Sequence, residues 1–212
     1  MNVQSRIRIG LALAAVGALA GCAMDPVDSG EGALAGRRVL TALQAGEVSF
    51  QAAHDGDPMP AMAPSVTTGA VIARASDDRL LLEELVLELG DLDVVKRIGS
   101  TTQVLHLTGL RLRLGTRADA DAIWTEPTQV RGVATADLLL DWSLRANDGQ
   151  VFPLATQRVP DAVLDLHLAV LEHGAVIASV TSTSSGLLWE LGDITVSDLS
   201  LSFVTAESGD LP

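Results

Sequence analysis

The chain has no tyrosine, a single cysteine and a single lysine, and aromatic residues make up only 3% of its 212 positions. One thiol closes no intramolecular disulfide and builds no thiolate metal cluster, so a folded domain here must rest on its apolar core. Scarce aromatics argue against a transmembrane barrel, whose strands carry aromatic girdles at both membrane interfaces. Basic residues are few as well, 14 against 27 acids, for a formal charge of −13. That balance repels phosphate backbones, and nucleic acid is not an expected partner. No phosphate-cradling glycine loop, zinc-protease helix motif or nucleophile elbow is present. The four histidines, His54, His106, His167 and His173, fall in no catalytic signature. No catalytic residue is assigned, and the chain is read as a non-enzyme without a cofactor.

The amino end is informative. Arg6 and Arg8 precede an unbroken run of apolar or small residues from Ile9 to Ala20. This is the layout of an export signal, and at roughly a dozen residues the run is short of the ~20 that span a bilayer as a helix. It ends in Leu19-Ala20-Gly21-Cys22, which resembles the lipobox of bacterial lipoprotein precursors at every position. The resemblance implies removal of residues 1–21, lipid on Cys22 and anchoring to a membrane through that lipid. With Ala23 rather than aspartate next, it also implies an outer-membrane destination. Cleavage would leave 212 − 21 = 191 residues with 12 basic and 27 acidic side chains, formally −15. Residues 22–36 then read as the lipidated cysteine and a flexible tether rich in Pro, Gly, Ser and acids, and 37–212 as one mostly β domain.

Within that domain a short helix is expected over Arg37 to Gln44, a first strand over Glu47 to Ala52, and a proline-rich loop from His54 to Pro64. From Val66 onward the dominant period is two. Leu138, Leu140, Trp142 and Leu144 share one face against Asp137, Asp141, Ser143 and Arg145 on the other, the mark of a half-buried strand. Asn147-Asp148-Gly149 and Glu172-His173-Gly174 supply hairpin turns, with return strands at 151–156 and 175–180. Further strands are expected at 66–74, 79–89, 103–114 and 187–204. The expected class is all-β: an antiparallel β-sandwich or partly open β-barrel of about eight to ten strands, with at most a short N-terminal helix.

One internal similarity stands out, LVLELGDLDV at 85–94 against LLWELGDITV at 187–196. In both, apolar alternation pauses at Gly-Asp and resumes in the opposite phase, which is what a bulge or bend does to a strand. Similar shifts fall at Thr108-Gly109 and Ser197-Asp198. The pair is either a duplication or a coincidence within a leucine-rich β chain.

The densest polar cluster holds His54, Asp55, Asp57, Met59 and Met62. Imidazole and thioether suit copper(I), which makes His54, Met59 and Met62 the candidate metal ligands. His106 and His167 should point outward, His167 beside Asp165. Trp142 and Trp189 occupy core positions, and Trp124, in a polar stretch, is the better exposed contact. These features favour a binding or assembly module at the outer membrane that takes a protein partner or a lipid. The alternative is a copper-type periplasmic metal-binding protein using the His54 to Met62 loop.

Overall fold

A computed structural model describes residues 33–206 apart from Gly99 and His173. The signal segment, the lipobox with Cys22, most of the tether and the histidine of the 172–174 turn lie outside the described residues. Among the described residues the regular structure is strand throughout. The strands are β1 (Arg38–His54), β2 (Asp57–Pro58), β3 (Val66–Ala75), β4 (Arg79–Leu89), β5 (Leu92–Ile98), β6 (Thr101–Leu114) and β7 (Ala118–Asp121). They continue as β8 (Ile123–Glu126), β9 (Gln129–Arg145), β10 (Val151–Pro153), β11 (Gln157–Val170), β12 (Val176–Leu191) and β13 (Ile194–Ala206).

The pairing registers join several of these end to end. Glu88 faces Arg111 and Leu92 faces Leu107, so β4 and β5 form one bent strand along β6. In the same way β2 leads through Met62 and Ser65 into β3, and β7 and β8 prolong β6. The result is a closed, eight-stranded antiparallel barrel in which neighbours in sequence are neighbours in space. The last strand closes on the first, from Ala42 opposite Ala206 to His54 opposite Ile194. This is an up-and-down meander, and closure of this kind removes free edges wherever the ring is complete.

Alternation decides what fills it. Leu80, Leu82, Leu85, Leu87 and Leu89 from β4 point inward, as do Val130, Leu138 and Leu140 from β9 and Leu164, Leu166 and Leu168 from β11. An eight-stranded barrel is narrow enough for side chains to fill. The outward positions carry cross-strand ion pairs: Arg131 with Asp165, Arg158 with Asp137, Arg113 with Asp141 and Arg111 with Glu88. The wall is therefore apolar inside, while outside it carries ion pairs interspersed with exposed apolar residues such as Ile123, Val133 and Val163.

Two bends foreseen from phase shifts are bulges. Gly109 has φ +63° where the β6 to β9 register slips between Thr108 and Arg111, and Asp198 has φ +50° beside the slip in β12 and β13. The 85–94 segment is a bent strand as expected. The 187–196 segment is not: there Gly192-Asp193 forms the two-residue turn between Leu191 and Ile194, which pair with each other. The similar sequences thus occupy different structural roles.

Two other expectations need correction. The region from Arg37 to Gln44 is not helical, since Val39 and Thr41 point inward from β1 and pair with β3 opposite Ala73 and Val71. Ala, Leu and Gln favour helix only weakly, and tertiary pairing overrides that preference. The segment from His54 to Pro64 is not simply a loop either. Asp57 and Pro58 pair with β1, and Phe50 and Met62 exchange backbone hydrogen bonds at 2.8 Å. Part of the segment expected as tether also joins the barrel, with Leu34 fully buried and Ala35 bridged to Ala75.

The end bearing the β1–β2, β5–β6, β9–β10 and β12–β13 connections is termed the rim. Toward it, strand pairing lapses among the described residues at two places. One is between β5 and residues 58–64, above the Gly90 N–H to Ser65 carbonyl bond, and the other is between β11 and β12 beyond Val163 and Thr183. The barrel spreads there into two facing sheets. Trp142 of one meets Trp189 of the other edge-on at 5.5 Å between ring centres, and Phe50 lies 5.2 Å from Trp189. Aromatic edge-to-face contacts of this kind hold the two halves together.

Candidate functional site

The first of these partings forms a cleft at the rim. Its cause is local chemistry: Pro58, Pro60 and Pro64 have no N–H to offer a neighbouring strand, and the rest of this segment turns its hydrogen bonds toward β1. Adjacent to it, β5 pairs with β6 on one side only among the described residues. The cleft has a volume of about 470 Å³ and is lined by His54, Asp57, Pro58, Met59, Pro60, Val95 and Lys96. Val95 points outward and is 50% exposed, while Val94 and Lys96 point inward.

Beside the cleft two turns converge. His54 closes β1, Asp55 follows it with φ +49°, and Asp193 lies in the turn between β12 and β13. His54 Nε2 is 3.1 Å from Asp193 Oδ2 and 3.6 Å from Asp55 Oδ2. Lys96 donates to the same Asp193 oxygen, its side chain only 11% exposed. This bond from Lys96 holds the Asp193 carboxyl below the ordinary carboxylate range, with a smaller contribution from His54. Lys96 belongs to one of the facing rim sheets and Asp193 to the other, so the pair ties them together across the barrel mouth.

The candidate metal ligands are divided by this arrangement. His54 and Met59 share the cleft. Met62 does not line it; it is 6% exposed and packs in the core, bound through its backbone to Phe50. The donors that do gather are His54, Asp55 and Asp193, whose ligating atoms lie within 4.8 Å of one another. That set suits borderline or hard cations rather than copper(I), and the Lys96 ammonium already supplies a positive charge to it. Asp193 and Lys96 were not singled out from sequence. Each lies more than 90 residues from its partner, and only the Gly-Asp pause of the 187–196 segment hinted at Asp193.

The remaining sequence candidates have structural partners. His106 Nδ1 is 2.7 Å from Asp93 on the outer face. Trp142 and Trp189 are core residues, as their phase indicated. Trp124 is half-buried rather than a free contact, and its Nε1 donates to the Asp77 carbonyl at 3.0 Å.

No protein-family model matches the chain, and no curated protein matches it. Solved structures with a similar course of strands include two of Ail, the attachment invasion locus protein of Yersinia pestis. One matches with 8% identity and a TM-score of 0.44, covering 81% of this chain and 98% of that one. The other, in complex with the heparin analogue sucrose octasulfate, matches with 10% identity and a TM-score of 0.41 over the same shares. Likeness of this degree assigns no residue and no activity.

Proposed function

We propose that the chain is the precursor of an exported lipoprotein, anchored at the outer membrane through Cys22, whose barrel is a non-enzymatic module for binding or assembling a protein partner. The observation that carries this reading is the polarity of the wall. A lipid-facing arginine near the bilayer midplane costs about 2–4 kcal/mol. The outer face here carries Arg111, Arg113, Arg131 and Arg158, each paired with an acid in a manner suited to water. A barrel built so is poorly suited to sit in a bilayer by its own wall, and lipid on Cys22 would tether it to one. Protein is preferred to lipid as the ligand because apolar side chains occupy the interior, whereas the rim cleft lies at the surface and combines polar and apolar lining.

Growth with labelled palmitate tests the anchor. Full-length protein should carry label and sediment with membranes, and Cys22→Ala should lose the label and accumulate as unprocessed precursor. Label retained by the variant would refute lipidation at Cys22. The module itself is tested by affinity capture from detergent-solubilised envelopes, where a reproducible protein partner is expected. Recovery of none would count against it.

A further inference from the structure

We propose that the rim cleft receives an extended peptide strand from a protein partner, apolar on one face and basic on the other, which pairs through its backbone with the free side of β5. This inference rests on the binding-module reading and specifies its surface. Three observations carry it.

The first is the edge itself. Among the described residues the hydrogen bonding between β4 and its neighbour β3 ends at Gly90 and Ser65, and β5 continues beyond that point with β6 alone beside it. A strand with one open side is a template for another strand, and main-chain pairing of this kind is a general mode of peptide recognition. The prolines opposite, Pro58, Pro60 and Pro64, prevent the chain from closing the gap with its own backbone.

The second is the lining. Pro58, Met59, Pro60 and Val95 present apolar surface beside the edge. An added strand points alternate side chains to opposite faces, so every second residue would meet this surface. Met59 suits such a role, because a thioether on a flexible stem adapts to differing side chains.

The third is charge. Asp57 lines the cleft, Asp55 and Asp193 stand beside His54, and Asp93 lies two residues before Val95 on β5. Of the described cationic or potentially cationic side chains close by, Lys96 and His54 contact Asp193 and His106 contacts Asp93, which leaves acids in excess. Asp55 is 74% exposed and Asp93 61%. The surplus of negative charge favours lysine or arginine on the incoming strand and disfavours acids.

The test uses the full chain and three acetylated heptapeptides: alternating valine and lysine, alternating valine and glutamate, and the valine-lysine peptide N-methylated at alternate residues. Affinity is read by fluorescence anisotropy and location by amide hydrogen exchange. The valine-lysine peptide should bind and slow exchange in residues 92–98. N-methylation should weaken binding by about tenfold or more through lost backbone bonds. The exposed double variant Asp55→Asn, Asp57→Lys should weaken it by a similar factor while leaving the thermal midpoint unchanged, because asparagine also tolerates the positive φ at position 55. Equal binding of the N-methylated or glutamate peptide, protection confined to other strands, or no binding by any of the three would overturn the proposal. Affinity capture separates it from the broader reading. A partner retained equally by the parent chain and by the double variant refutes the cleft but leaves the module standing, whereas no partner for the parent chain refutes the module.

Discussion

Leu85 and Val163 are both branched apolar residues on strands, yet they stand in opposite surroundings. Leu85 is fully buried inside the ring, and Val163 is 46% exposed on the outer wall. Truncating a buried leucine removes transfer energy and leaves a cavity, so Leu85→Ala should lower stability by about 2–5 kcal/mol. Val163→Thr should stay within about 0.5 kcal/mol, because its neighbours are solvent and other outward side chains. Urea unfolding followed by tryptophan fluorescence measures both, and similar losses would contradict the inward and outward assignment. Such inward sets were readable in the sequence wherever alternation was unbroken, as from Leu140 to Leu144. The environment of His54 was not. Its partner Asp193, and Lys96 that shares that carboxylate, are brought together by the closure of β13 on β1 and by the reach of β5, and no local pattern records either.

At the scale of elements, phase shifts were the most legible signal. Gly109 and Asp198 mark bulges where apolar alternation changes face, and the Gly90-Asp91 bend carries β4 into β5. The Gly109 site has room for a methyl group, since nothing lies within 4 Å of where a Cβ would sit. The cost of a side chain there is therefore conformational. With φ at +63°, Gly109→Ala should destabilise the barrel by about 1–2 kcal/mol, and an unchanged urea midpoint would show that the bulge relaxes freely. The same signal misled at 187–196, because a bend within one strand and a tight turn between two both interrupt alternation at Gly-Asp. What distinguishes them is the available partner. β5 follows β6, whereas Ile194 folds back on Leu191. The start of β1 was misread for a related reason: its partners are β3, about 30 residues on, and at Ala42 and Leu43 also β13, about 160 residues away.

For the molecule as a whole, electrostatics on the outer wall set the acid limit. Glu83, Asp91, Asp137, Asp141, Asp165 and Asp193 are each held below the ordinary carboxylate range, chiefly by hydrogen bonds from Arg38, Thr108, Arg158, Arg113, Arg131 and Lys96 respectively. Because their folded values lie below the unfolded ones, the unfolded chain takes up protons first as pH falls. Their stabilisation is complete above the usual carboxylate pKa of about 4 and is lost as pH drops through the lower folded values. The urea midpoint should accordingly be flat with respect to these groups from neutral pH to about 5 and fall below 4. A midpoint that rises on acidification would mean that relief of the net negative charge outweighs the pairs. The reverse is expected because each of these carboxylates has a specific donor.

The meander has one seam that joins distant parts of the sequence, between β13 and β1. Every other neighbour can form as soon as its hairpin exists, but the ring has no final partner for its first strand until the last one is present. A chain made from its amino end would thus first form an open, curling sheet and become a barrel only when β13, Ile194–Ala206, arrives. Arrival of β13 and closure of the ring are then a single event, and any product cut short before Ile194 leaves two long strand edges bare to proteases and to one another.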